Sequence, residues 1–212
     1  TVARFIHADA NDVALVKLVA QSLGVSESEP APQFDCVAVH FALHYLVPTE
    51  DAARRFFASV ARLCRPEGGR VLVTTLDIRV VKARLEASPA RAWSNGVCAV
   101  RLVDAPDVPI DVDAFGREVV FSLGDAVVDC REPLVPLGRL SAVAAEAGFR
   151  LVATANFADL VAAGVATANP SFAELLSDMR VLEPRGMTRD EWDVVGLYVA
   201  AVWEASPALN PS

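Results

Sequence analysis

His40, Phe41, His44 and Tyr45 crowd into one stretch, Phe34-Asp35-Cys36-Val37-Ala38-Val39-His40-Phe41-Ala42-Leu43-His44-Tyr45, directly after an apolar run. In an open α/β sheet, ligands collect just outside the carboxyl ends of the strands, so polar and aromatic side chains gathered at such an end read as a site. His40 and His44 are spaced i, i+4, which on a helix would suggest a metal pair, but a strand leading into a loop breaks that geometry. His7 or Asp9 would have to supply a further ligand, and metal binding is disfavoured. Taken alone, Phe41 and Tyr45 read as core aromatics. No Ser/His/Asp or Cys/His triad spacing and no strong carboxylate pair occurs, so no residue is assigned to acid-base or covalent catalysis.

The elements that must position these residues follow a strand-helix pattern. Strand candidates are Ala3–Ala8, Cys36–His40 and Arg70–Thr75. Thr49–Cys64 repeats apolar residues at helical spacing, and Arg65-Pro66-Glu67-Gly68-Gly69 stops it before the next strand. A second helix begins at Asp77, a natural N-cap, and runs through Val80, Val81 and Leu85. Trp93–Val103 and Gly116–Leu123 alternate like a hairpin pair joined by the acidic loop Asp104–Asp113. Pro136–Ala147 reads as a helix ending at Gly148, Phe149–Asn156 as a strand, Ser171–Leu182 as a helix and Gly196–Glu204 as the last strand. Such alternation is the signature of an α/β fold on a mostly parallel sheet.

The chain has 212 residues, of which 53% are hydrophobic and 22% charged, with a net charge of -8. It is long enough for one domain with its own core, here residues 1–205 with an insertion at about 93–133 and a tail, 206–212. The acidic balance excludes general attraction to nucleic acid or anionic membranes, so an RNA contact must be local. Cys36, Cys64, Cys98 and Cys130 form no Cys-x-x-Cys pair, which points to reduced thiols inside the cell. No apolar run is long enough for a membrane span. The first residues show no signal-peptide organisation, and the lack of an initiating Met suggests that residues are missing upstream.

Several segments occur together in the order and spacing of one family. They are Phe34–Tyr45, the Pro66-Glu67-Gly68-Gly69 turn, Thr74-Thr75, Phe121-Ser122-Leu123 followed by Glu132, Leu182-Glu183-Pro184, and Glu191-Trp192 followed by Leu197-Tyr198. Together they make the chain, from about Arg4 to Glu204, resemble the messenger RNA cap guanine-N7 methyltransferases. The resemblance implies a Rossmann-like class I methyltransferase sheet, N-terminally truncated and carrying a β-hairpin insertion. Ala3–Ala8 would be its third strand. The family's acidic, glycine-rich Asp-x-Gly-x-Gly type cofactor loop and its second strand are not in this sequence, so the first half of the cofactor site is lacking.

The implied reaction moves a methyl group from S-adenosylmethionine to N7 of the cap guanine. That nitrogen has an in-plane lone pair and no proton to lose, so catalysis would rest on proximity and orientation alone. Guanine offers donors at N1 and its exocyclic amine and an acceptor at O6, which call for a carboxylate and a separate donor. By resemblance, His44 and Glu132 read that edge, Tyr198 falls on a cap-contacting position, and Phe41 lines the same pocket. The resemblance also puts Asp9 at the adenine amine of the methyl donor, with Tyr45 and His40 beside the cofactor. His40 departs from the family's usual glutamine, and Val119 from an aromatic residue, which shifts stacking onto Phe41 and Tyr198.

Other roles stay open from the residues alone. Asp9 could merely cap a turn, Tyr198 could be an ordinary tyrosine in the middle of the apolar terminal strand, and Glu191 and Trp192 read as helix structure and packing. Glu132 lies beside the apolar Pro133-Leu134-Val135-Pro136, where a lone carboxylate needs a partner or ligand. Arg54, Arg55, Arg62, Arg65, Arg70, Arg79, Lys82, Arg84 and Arg91 make the first half locally basic, although most could be solvated helix faces. Capped RNA and capping-machinery proteins are the implied partners, without DNA or membrane, and the nucleus is the implied location. A small-molecule methyltransferase and a catalytically silent binding domain are the alternatives.

Overall fold

A computed structural model describes residues 3–12, 14–26, 31, 33–103, 108–166, 170–178 and 186–206. In chain order the elements are α1 (Leu15–Ser22), β1 (Cys36–His40), α2 (Leu43–Leu46), α3 (Glu50–Leu63), β2 (Arg70–Leu76), α4 (Ile78–Glu86), β3 (Ala92–Ser94) and β4 (Cys98–Leu102). They continue with β5 (Glu118–Leu123), β6 (Val127–Pro133), α5 (Leu137–Glu146), β7 (Phe149–Asn156), α6 (Phe157–Ala166), α7 (Pro170–Asp178), α8 (Arg189–Val195) and β8 (Tyr198–Ala205).

One sheet has the order β1-β2-β8-β7, with β1 and β2 parallel and β8 antiparallel to both of its neighbours. The fold is α/β, with a mixed sheet. Because β8 alone runs backwards, its amino end lies level with the carboxyl ends of β1, β2 and β7. The register makes this concrete: His40 pairs with Thr74, Leu76 with Tyr198, and Asn156 with Val199. These residues form a single rim.

Helices α3 and α5 cover one face of this sheet. Their apolar stripes meet Val71, Val73, Ala201 and Trp203 in a core that includes Phe57, Leu140 and Phe149. Trp203 is fully buried, and its indole N–H donates to Ser141 Oγ at 3.3 Å, so the ring is both packed and hydrogen-bonded. The Thr49 hydroxyl caps α3 by accepting from the Ala52 N–H, and Asp77 caps α4 through the Arg79 N–H. Between α3 and β2 the chain turns at Gly68, whose φ of +72° suits glycine, and at Gly69, where a Cβ would strike the Arg65 carbonyl.

A second, antiparallel sheet, β3-β4-β5-β6, packs on α4, Val194 and Leu197 around Cys98, Val100, Val119 and Phe121. The expected pairing of Trp93–Val103 with Gly116–Leu123 is present as β4 on β5. Trp93–Val103 is itself folded, however, because the Asn95 side chain accepts from the Val97 and Cys98 N–H groups and turns β3 back onto β4. Strand β6 was not expected from sequence; its alternation is blurred by a bulge opposite Phe121/Leu123 and by Asp129 at φ +49°.

Other expectations need correction. Ala3–Ala8 forms no strand: it is exposed coil, with Phe5 98% exposed, because no strand of the described residues lies beside it to bond its backbone. Tyr198 opens β8 instead of lying in mid-strand, since Leu197 ends the turn after α8. The expected helix Ser171–Leu182 is seen as α7 from Pro170 to Asp178; its remainder, Leu182-Glu183-Pro184, and residues 104–107 and 207–212 lie outside the described residues. Glu191 closes a capping box with Thr188 at the start of α8, in keeping with its reading as helix structure.

Candidate functional site

The rim acquires its shape where β1 ends. Phe41 has φ +54°, a left-handed backbone that costs a side-chain-bearing residue about 1–2 kcal/mol, so the surroundings must hold it there. Its N–H donates both to the Thr74 carbonyl and to Thr74 Oγ1, each at 3.0 Å. This sharp exit throws the chain into α2, which Leu43 and Val47, both fully buried, pin to the main core.

Anchored in that way, α2 turns His44 inward against β6. His44 is 5% exposed and Glu132 8%, and His44 Nε2 lies 3.9 Å from Glu132 Oε2. Both ring nitrogens of His44 are buried without a hydrogen-bond partner among the described residues. Burial pushes His44 down to about 4, so the ring is neutral near pH 7, with one donor and one acceptor nitrogen. Burial also raises the Glu132 carboxyl. A buried polar ring without a protein partner is unusual and calls for a ligand or an ordered water as the partner.

Aromatic rings stand beside this pair. Phe41 is edge-on to Tyr198 at 5.2 Å and to Phe157 at 6.0 Å, while Phe157 and Tyr198 are tilted at 6.0 Å. Phe121 meets Tyr198 edge-on from the second sheet at 6.4 Å. Tyr198 has its hydroxyl pKa raised, first by burial and then by the Glu132 charge. Phe41 is half exposed, so its ring can meet a ligand as well as its neighbours.

Tyr45 follows His44 along α2 with its ring tilted against the imidazole, centroids 4.0 Å apart, and is 48% exposed. Its hydroxyl shares a hydrogen bond with Cys130 Sγ at 3.2 Å, and that bond, with burial and Glu132, raises its pKa. His40 lies at the end of β1, exposed, with Nδ1 3.4 Å from Thr74 Oγ1. The structure therefore brings Phe41, His44, Glu132 and Tyr198 together, with Tyr45 on the flank through Cys130 and His40 tied to the same rim through Thr74. Asp9 stands apart in a local turn, its carboxylate accepting from the Asn11 N–H at 2.8 Å.

Phe157, Cys130 and Thr74 are participants that the sequence reading did not single out for the site. Phe157 had a usable signal: it directly follows β7, and the carboxyl end of that strand lies on the same rim as those of β1 and β2. Cys130 had none, because its place depends on β6.

The locally basic first half is largely neutralised. Arg54 pairs with Glu50 and Glu146, Arg65 with Asp35 at 2.6 Å, Arg70 with Glu204, Arg79 with Asp77, and Arg84 with Asp193 at 2.7 Å. Among the described residues no cluster of His, Cys, Asp or Glu could hold a metal, and no helix is long and apolar enough to cross a membrane.

Comparison with known proteins converges on one family. The mRNA cap guanine-N(7) methyltransferase 1 of Oryza sativa subsp. japonica is 35% identical over 82% of this chain and 48% of its own length. The protein of the same name from Arabidopsis thaliana is 31% identical over 94% of this chain and 52% of its own. The mRNA cap guanine-N(7) methyltransferase of Schizosaccharomyces pombe is 27% identical over 86% and 52%. The chain thus spans about half the length of the curated relatives it matches. A family profile described as the mRNA (guanine-N(7))-methyltransferase domain matches residues 2–206, and the chain belongs to that family.

Proposed function

We propose that this chain carries the guanine-binding part of an enzyme that transfers a methyl group from S-adenosylmethionine to N7 of the guanine of the mRNA 5′ cap. The observation behind this reading is the buried His44–Glu132 pair, with its unpartnered imidazole, set beside a cluster of aromatic rings. A guanine there would give Glu132 its N1–H and exocyclic amine and would take a hydrogen bond from His44 at O6. The aromatic side chains, Phe41 and Tyr198 with Phe157, would hold the ring by stacking, worth roughly 1–3 kcal/mol per base.

The chain's own contribution to the reaction is orientation. Fixing the Watson–Crick edge stops the base from rotating and leaves N7, a ready nucleophile, aimed at the electrophilic methyl that S-adenosylmethionine supplies when bound. No proton needs to leave N7, which suits a site with a neutral histidine and no acid-base dyad. His40 and Tyr45, polar and exposed on the same rim, suit contact with the donor. A contact of Asp9 with the adenine amine rests on the family resemblance alone, since its carboxylate is engaged in a local turn.

Capped RNA is then the substrate, the nucleus the place of action, and other capping proteins the neighbours. The ion pairs of the first half leave few arginines free for phosphate, so this stretch adds little to RNA affinity by charge. Titration of a cap analogue into the wild type and Glu132→Ala tests the guanine site: binding should be lost in the variant. Equal binding of adenosine and guanosine triphosphates overturns it, and methyl transfer by the full-length polypeptide separates enzyme from silent binder.

A further inference from the structure

We infer that Thr74 is a positioning residue of this site, its hydroxyl fixing at once the left-handed turn at Phe41 and the tautomer of His40. The inference rests on the reading of the rim as the guanine and methyl-donor site. Thr74 is buried at the carboxyl end of β2, opposite His40 in the parallel ladder. Its Oγ1 accepts from the Phe41 N–H at 3.0 Å and lies 3.4 Å from His40 Nδ1; in this arrangement the hydroxyl gives its one proton to Nδ1. Nδ1 is then the acceptor, and the His40 ring carries its proton on Nε2, on the side of the ring away from Thr74.

Two consequences follow from one hydroxyl. The Phe41 backbone is clamped at φ +54°, which sets where its ring stands against Tyr198 and Phe157 and where α2 starts with His44 and Tyr45. The His40 side chain offers a donor to whatever lies beyond the rim. Thr75, the next residue, is an internal contrast: its Oγ1 is buried and has no hydrogen-bond partner among the described residues. Chemically alike and adjacent in sequence, the two hydroxyls differ in that only Thr74 bridges the ends of β1 and β2.

The test uses the full-length polypeptide with Thr74→Val, Thr74→Ser and Thr75→Val, read by cap-analogue titration and by nitrogen NMR of His40. Thr74→Val should weaken cap-analogue binding by about tenfold, the loss of one hydrogen bond, while Thr74→Ser restores it and Thr75→Val leaves it unchanged. The wild-type His40 spectrum should show Nδ1 unprotonated, shifting to a tautomer mixture in Thr74→Val and returning in Thr74→Ser. A protonated Nδ1 in the neutral wild-type ring overturns the inference whether or not the variants fold, as does Thr74→Ser behaving like Thr74→Val. If the spectra behave as expected but wild type binds no cap analogue, the positioning role stands and the guanine reading fails. If Glu132→Ala abolishes binding but Thr74→Val does not weaken it, the guanine reading stands and the positioning role fails.

Discussion

His44 Nε2 and Glu132 Oε2 lie 3.9 Å apart, each side chain nearly sealed from water, although burial drives the imidazole toward neutrality and penalises the carboxylate. Such a contact does not stabilise the fold as an ion pair; it holds the two groups proposed to read guanine in place at a cost. Glu132→Gln should therefore leave the thermal midpoint unchanged or raised while guanine affinity falls by about tenfold or more, because an amide presents a donor where the ligand also donates. Differential scanning calorimetry and cap-analogue titration on one preparation check both halves.

The same burial sets a pH dependence. His44 is lowered to about 4 in the folded chain against 6.5 when free, so the unfolded chain takes the proton first. The stability contributed by neutral His44 is complete above pH 6.5 and is lost as pH falls toward 4, by about 3 kcal/mol over that window. Glu132 works in the opposite sense: its raised pKa favours folding when protonated, and that gain disappears as pH rises above the ordinary carboxylate value. His44→Leu should flatten the acid-side fall in denaturant midpoint between pH 6.5 and 4; an unchanged slope means that other groups cause it.

Phe157 closes the aromatic group from the end of β7 and is only half buried. Phe157→Leu should weaken cap-analogue binding by roughly tenfold, in line with a lost stacking contact, with little change in stability. Fluorescence titration beside a thermal melt distinguishes this from general loosening of the rim.

Gly69 tests the turn that delivers β2, and with it Thr74, to the rim. A methyl group there meets the Arg65 backbone, which cannot swing aside as a flexible side chain would. Gly69→Ala should cost about 1–3 kcal/mol in urea unfolding. Gly68→Ala should also destabilise, but through its positive φ and not a clash, since nothing lies near its added carbon.

Much of the main layer was legible in the residues. Phe149–Asn156 was read with both of its ends correct, and Thr49 and Asp77 mark the starts of α3 and α4, because apolar period, N-caps and glycine stops are local signals. Ala3–Ala8 misled for the converse reason. Its residues are apolar enough for a strand, but a strand exists only where a neighbour takes up its backbone hydrogen bonds. The hairpin region was half legible: β4 and β5 alternate cleanly, whereas the bulge in β6 hides the strand that carries Cys130 and Glu132.

By itself the sequence determined most elements of the main layer, the Asp77 N-cap, the aromatic and imidazole cluster at the end of β1, and the colinear motifs that mark the family. Those depend on neighbours along the chain. Only the tertiary structure decided that Glu132 meets His44, that Tyr198 begins its strand on the same rim as His40, and that Phe157 joins Phe41. Each of these contacts joins residues far apart in sequence, and each depends on strand direction and register, which are settled when β8 inserts backwards between β2 and β7 and α2 docks on β6.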